Sequence, residues 1–175
     1  GSGDVDRTDE GESALTLAAE NGHVCAVQLL IERGAALHLP NKQGWQPVHC
    51  AAQCENPSTL ALLLARGADV QSRTAIGVTP LHVAAFNGRL GACQALVAAG
   101  ADVEATDGDG RTPLDNARHW LLECACKSES ADREWGGVVA LLEKVGSMAH
   151  AHDRSEFARR LWQLRVSGEL QRAAE

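Results

Sequence analysis

Three stretches of the chain place apolar residues at i, i+3 and i+4 with polar or small residues around them. They are Val27, Leu30 and Ile31; Leu60, Leu63 and Leu64; and Cys93, Leu96 and Val97. That spacing puts three side chains on one face of an α-helix and predicts three short amphipathic helices. Upstream of each stretch lies a pair of small residues, Ala18-Ala19, Ala51-Ala52 and Ala84-Ala85. Such pairs predict a second set of helices that approach their neighbours closely. Gly22 and Gly88 fall between the paired helices. Gly34, Gly67 and Gly100 follow the amphipathic ones, where a left-handed residue ends a helix. Far downstream, Glu156–Val166 carries Phe157, Leu161 and Leu164 at i, i+4 and i+7, with Arg154, Arg159, Arg160 and Arg165 elsewhere. This pattern predicts a further amphipathic helix.

The pattern repeats. Gly11, Gly44, Gly77 and Gly110 are each separated by 33 residues, and so are the Gly-Ala pairs that start at Gly34, Gly67 and Gly100. Each glycine of the first series opens a similar phrase: Gly11-Glu-Ser-Ala-Leu15, Gly44-Trp-Gln-Pro-Val48, Gly77-Val-Thr-Pro-Leu81 and Gly110-Arg-Thr-Pro-Leu114. Physically, a Ser or Thr hydroxyl caps the free N–H groups of a new helix. Proline then occupies a first-turn position where no N–H is needed. Several anchors at one constant period identify a repeat array, in which each unit buries its apolar face only by stacking on the next.

The phrase Gly77-Val-Thr-Pro-Leu-His-Val-Ala-Ala85, with Asn87-Gly88 and Gly100-Ala-Asp-Val103, resembles an ankyrin repeat. The resemblance covers roughly residues 8–146. It implies an all-α solenoid of paired antiparallel helices with hairpin-like loops projecting at about a right angle. It also implies recognition of proteins through the loop tips and the concave face of the inner helices. The expected organisation is an N-terminal tail at 1–7, repeats at 8–40, 41–73, 74–106 and 107–146, and a C-terminal capping helix and tail at 147–175. Gly1-Ser2-Gly3 reads as a cloning remnant, which predicts a longer natural protein.

The departures from the pattern are informative. Repeat one has Ser13-Ala14 and Thr16 in place of Thr-Pro and His. Repeat two replaces the turn glycine with Glu55 and follows it with Asn56-Pro57, an alternative cap and first turn. Repeat four carries Asp115 for His and Arg118 for the second Ala. With Gly146 taken as its closing glycine, about 13 residues are inserted near 120–136. The expectation is an inner helix extended through 117–126, a polar loop at 127–133 and an outer helix restored at 138–142. A bulky Arg118 and an insert mark a terminal repeat, which Phe157, Leu161 and Leu164 would cap; otherwise Trp162 and its neighbours dock on a partner or a second copy of the chain.

Composition narrows the function. A net charge of −7 disfavours nonspecific binding to nucleic acid or anionic lipid. No apolar run approaches the ~20 residues that span a bilayer. Six cysteines without paired zinc spacing predict a reduced, intracellular and cytoplasmic setting. A monomer is expected. Only 3% of residues are aromatic, so any aromatic residue at a contact position stands out. In the register of the array, one loop column reads Glu12, Trp45, Val78 and Arg111, and a second reads Glu10, Gln43, Ile76 and Asp109. Inner-helix ends read Glu20, Gln53, Phe86 and His119, then Asn21, Cys54, Asn87 and Trp120. Trp45, Ile76, Val78, Phe86 and Trp120 are expected to form an apolar contact patch, with Gln53 beside it and Arg73, Arg111 and Lys42 as a polar rim. The alternative is that Trp45 and Trp120 fold over the array's own loops, with Trp120 buried by the insert and Trp135.

Catalytic and metal chemistry find little support. His49 and His82 match the family's helix-start His, whose ring bonds to loop backbone. His49, Cys50 and Cys54 point in divergent directions on a helix and converge poorly as ligands. Cys124-Ala-Cys126 and His150-Ala-His152 lack a second ligand pair. Asp107-Gly108-Asp109-Gly110 opens like a calcium loop but lacks the downstream bidentate Glu. No cofactor is expected. The sequence therefore predicts a non-catalytic adaptor or targeting module that binds a protein or peptide on repeats two to four. Alternatively, the array is a structural or autoregulatory segment that packs against another domain of a larger protein.

Overall fold

A computed structural model describes Asp6, residues 12–125 and residues 131–149, side chains of residues 123–125, 131–134 and 148–149 excepted. Among the described residues eight helices follow in order: α1 (Ala14–Glu20), α2 (Val24–Glu32), α3 (Pro47–Ala52), α4 (Ser58–Ala65), α5 (Pro80–Phe86), α6 (Leu90–Ala98), α7 (Pro113–Ala125) and α8 (Ala131–Ala149). No strand occurs among the described residues. The inner-helix starts use the predicted caps: Ser13 Oγ accepts from the Thr16 amide at 3.1 Å, and Thr79 Oγ1 accepts from the His82 amide at 3.4 Å. Repeat two solves its missing turn glycine with Asn56, whose Oδ1 accepts the Ser58 amide at 2.9 Å as α4 begins.

The odd-numbered helices stack as an inner layer, α1 on α3 on α5 on α7, and the even-numbered ones as an outer layer. The alanine pairs lie in the inner layer, where Ala19, Ala51, Ala52, Ala84 and Ala85 are wholly enclosed. Leu60, Leu63, Leu81 and Leu96 fill the space between layers with no exposed surface. Truncating any of these leucines to alanine would cost ~2–5 kcal/mol through lost burial and a residual cavity. Hairpin-like loops join each outer helix to the next inner one, closed by Asn41–Trp45, Thr74–Val78 and Asp107–Arg111 backbone bonds. Successive tips also bond to each other: the Ala75 amide donates to Gln43 O at 3.2 Å and the Gly108 amide to Ile76 O at 2.9 Å.

The fourth pair departs from the expectation drawn from the period. Helix α8 starts at Ala131 and runs to Ala149, so residues 131–133 are helical, not loop. Gly146 lies inside this helix and does not close it, unlike Gly34, Gly67 and Gly100 with φ of 86–91°. The reason is pairing length. Helix α7 has 13 residues where α1, α3 and α5 have 6 or 7, and the 19 residues of α8 pack along it. A Cβ on Gly146 would come within 3.0 Å of Glu104 Oε1, the mobile end of an exposed side chain that can swing aside. The expected helix at 156–166 lies outside the described residues.

Candidate functional site

The stacked hairpins and the inner helices enclose a groove of about 390 Å³ on the concave face. The hairpins contribute Trp45, Ile76, Val78, Asp107 and Arg111, and α3, α5 and α7 with their caps contribute Gln53, His82, Val83, Phe86, Asn87 and Asn116. Six of the eight residues expected at the contact surface therefore meet in one depression: Trp45, Gln53, Ile76, Val78, Phe86 and Arg111. Ile76 is 68% exposed and Phe86 47%, unusual for large apolar side chains in a folded domain. Trp45 is half-buried; its ring tilts onto His49 with centroids 5.9 Å apart, so it packs on the core while lining the groove.

Trp120 and Arg73 do not line this groove. Trp120 meets the Phe86 ring edge-on at 5.1 Å and buttresses it from the α7 side, with its indole nitrogen buried and unpartnered. Trp135 does not bond to Trp120; its indole N–H donates instead to Phe86 O at 3.1 Å, at the end of α5. Arg73 Nη1 donates to Thr106 O at 2.7 Å and to Gly77 O at 3.3 Å, tying the third hairpin to the start of the fourth. Lys42 is exposed on the second hairpin.

The groove wall rests on two imidazoles. His49 Nδ1 accepts from the Gln46 amide at 3.2 Å while Nε2 donates to Val78 O, also at 3.2 Å. His82 repeats the arrangement, with Nδ1 beside the Thr79 amide and hydroxyl and Nε2 donating to Arg111 O at 2.9 Å. Each ring thus links the start of one inner helix to the loop of the next repeat. This demands a neutral ring protonated at Nε2. Burial lowers the pKa of both imidazoles, against the raising effect of the same backbone bonds. Where no histidine stands, a different cap appears. Thr16 Oγ1 pairs with Ser13 Oγ at 2.9 Å, and Asp115 Oδ2 accepts the Thr112 amide and hydroxyl. Those bonds hold the Asp115 carboxyl below its ordinary range.

The cysteines have structural surroundings. Cys54 Sγ donates towards Ala19 O and Glu20 O at 3.2 Å and closes the end of α1. Burial pushes the Cys50 and Cys93 thiols up to about 12, which keeps them protonated and unreactive. Asp107 Oδ1 accepts the Asp109 and Arg111 amides at 2.9 Å, so this carboxylate organises its own loop. Among the described residues, no group of three or more His, Cys, Asp or Glu is gathered to hold a metal ion. No helix among them is long and apolar enough to cross a membrane.

Four lining residues were not anticipated from the contact columns: His82, Val83, Asp107 and Asn116. A signal existed for two of them. Cys50, Val83 and Asn116 form another column at the same period of 33, along the concave side of the inner helices. The family model described as ankyrin repeats (3 copies) matches residues 2–74, and the one described as ankyrin repeats (many copies) matches residues 56–97 and 81–121. Comparison with individual curated proteins returns no match. The matched repeats, the four stacked helix pairs and their bonded loops agree: this chain belongs to the ankyrin-repeat family.

Proposed function

We propose that the chain is a non-catalytic adaptor or targeting module that binds a peptide or protein surface on the concave face of repeats two to four. Ankyrin repeats are in general protein–protein interaction modules, and the family is typically non-catalytic. One observation carries the choice of face. Trp45, Ile76, Val78 and Phe86, which belong to two successive repeats, line a single groove of about 390 Å³. Apolar side chains left in water there gain by docking against a partner, at ~25 cal/mol per Å² of surface covered. Aromatic residues in a desolvated pocket are the usual anchors of such contacts.

Replacing Trp45 and Phe86 together by Ala should reduce partner binding at least tenfold. Because Trp45 also packs on the core, Ile76→Asp provides an independent variant at an exposed position that leaves the fold intact. Binding measured by calorimetry and unchanged in both variants would place the contact elsewhere on the array.

A further inference from the structure

Equivalent columns of the three regular repeats are not buried alike. Positions between the two layers are closed in all three: Leu15, Val48 and Leu81, like Val27, Leu60 and Cys93, have no exposed surface. Along one side of the helix pairs the columns are graded instead. Leu17 is 42% exposed where Cys50 and Val83 are 5% and 3%. Leu30 is half-buried where Leu63 and Leu96 are enclosed, and Leu29 is 49% exposed where Leu62 and Ala95 are half-buried. That side is the one each repeat turns to the repeat before it. A Cβ on Gly91 would lie 3.2 Å from the Pro57 ring, so this face of α6, which Ala95 shares one turn on, meets repeat two. Cys25 stands two periods before Gly91 and is exposed one turn from Leu29. The interior of repeat one is therefore complete, while the face that would meet a preceding repeat is open.

Only helices are wanting there. The connection that feeds repeat one is in place: Asp6 Oδ1 accepts the Ala36 amide at 3.0 Å, much as Gln71 Oε1 accepts the Asp102 amide at 3.3 Å two periods on. A repeat that ends an array turns a polar outer face to water. This flank instead carries Leu17, Cys25 and Leu29, and it continues the interface by which α3 packs on α1 and α4 on α2. We infer that the flank of α1 and α2 is a docking surface for one further helix pair of the same kind, joined ahead of Asp6 and stacked in the register of the array. Its chemistry is that of the regular repeats: an alanine pair that lets the inner helix come close to α1, and aliphatic residues at i, i+3 and i+4 on the outer helix beside α2. Among the described residues none of repeat one lines the groove, so stacking here and partner binding there do not compete.

The test extends the chain. A copy of residues 39–71, the helix pair that covers the same columns of repeat three, is joined directly ahead of Asp6 in place of residues 1–5, which keeps the period of 33. Docking should slow the alkylation of Cys25 by iodoacetamide at least about tenfold, followed by peptide mapping. It should also raise Tm by about 5 °C in a single transition. Leu17→Glu/Leu29→Glu should undo both gains in the extended chain, yet leave Tm of the 175-residue chain within about 2 °C, because exposed positions carry little of its stability. A second extension, built from residues 72–104, is read in the same way. Rapid alkylation of Cys25 in both extended chains, or gains that survive the glutamates, would overturn the assignment. A large loss of Tm in the unextended variant would make these leucines part of the chain's own core and overturn it too. Concentration-dependent protection of Cys25 in the 175-residue chain, with a dimer in sedimentation, would give the flank to a second copy and overturn the inference.

Discussion

The Nε2–H of His82 donates to the carbonyl of Arg111 at 2.9 Å, reaching 29 residues along the chain and from one helix pair to the next. Its other nitrogen faces the Thr79 amide, so one ring both caps α5 and fastens the following loop. Removing it leaves a buried N–H without its partner and a void in the groove wall. His82→Ala should lower unfolding stability by ~2–4 kcal/mol in urea. His119→Ala, at an exposed ring, should change it by less than ~0.5 kcal/mol. Equal effects from the two substitutions would contradict the assigned role.

Both buried imidazoles have lowered pKa values, so the unfolded chain takes up protons before the folded one does. Their stabilisation is complete above the ordinary imidazole value of about 6.5 and is lost as pH falls below it towards the depressed folded values. Two such groups limit the slope to about 2.7 kcal/mol per pH unit. Thermal melts taken between about pH 7.5 and 5 should show Tm falling with pH, and His49→Gln/His82→Gln should flatten the curve. The Asp115 carboxyl is displaced downward and acts in a separate window, lost only below about pH 4. A pH-independent Tm down to about pH 5 would refute the histidine contribution.

Gly44 and Gly110 occupy equivalent loop positions at φ of 82° and 77°, but only one has a neighbour. A Cβ on Gly44 would lie 2.6 Å from the Ala75 amide nitrogen, whereas nothing described lies within 4 Å of one on Gly110. Gly110→Ala should therefore cost only the left-handed backbone term of ~1 kcal/mol. Gly44→Ala should cost at least ~3 kcal/mol, because the stacked tips must also part. Denaturant titrations of the two variants measure the difference.

Two polar contacts of helix α8 differ in worth. Arg118 Nη2 donates to Glu143 Oε1 at 2.7 Å, but the two side chains are 52% and 49% exposed. Solvent screening limits that pair, and Glu143→Gln should shift stability by less than ~0.5 kcal/mol. The Trp135 bond to Phe86 O holds the end of α5 beside the groove. Trp135→Phe should cost ~1 kcal/mol and speed amide exchange at Asn87–Arg89. If the ranking came out reversed, the ion pair would be the stronger tie.

Local chemistry made the first three repeats readable. Glycine at a left-handed turn, proline in a first turn and leucine at helical spacing each have one physical use, and a constant period multiplied the signal. The same period misled at Gly146, because an expectation carried forward by register cannot see that α7 had lengthened and drawn its partner with it. Trp45, Ile76, Val78 and Phe86 were legible as a patch because columns in a regular stack become neighbours. The Trp135 bond to Phe86 O was not legible, since it joins residues 49 apart across the irregular pair. Arg73 was expected on the rim, and no pattern of residue types disclosed that its guanidinium ties one hairpin to the next.

The imidazole links are unevenly distributed. They join the second repeat to the third and the third to the fourth, while Thr16 leaves the first junction without one. The first junction is fastened by other groups: Cys54 Sγ donates to Ala19 O and Glu20 O, and Asn41 Nδ2 to Glu12 Oε1. Acid therefore loosens the array at its second and third junctions, where the imidazoles stand, while the first repeat keeps its hold on the second.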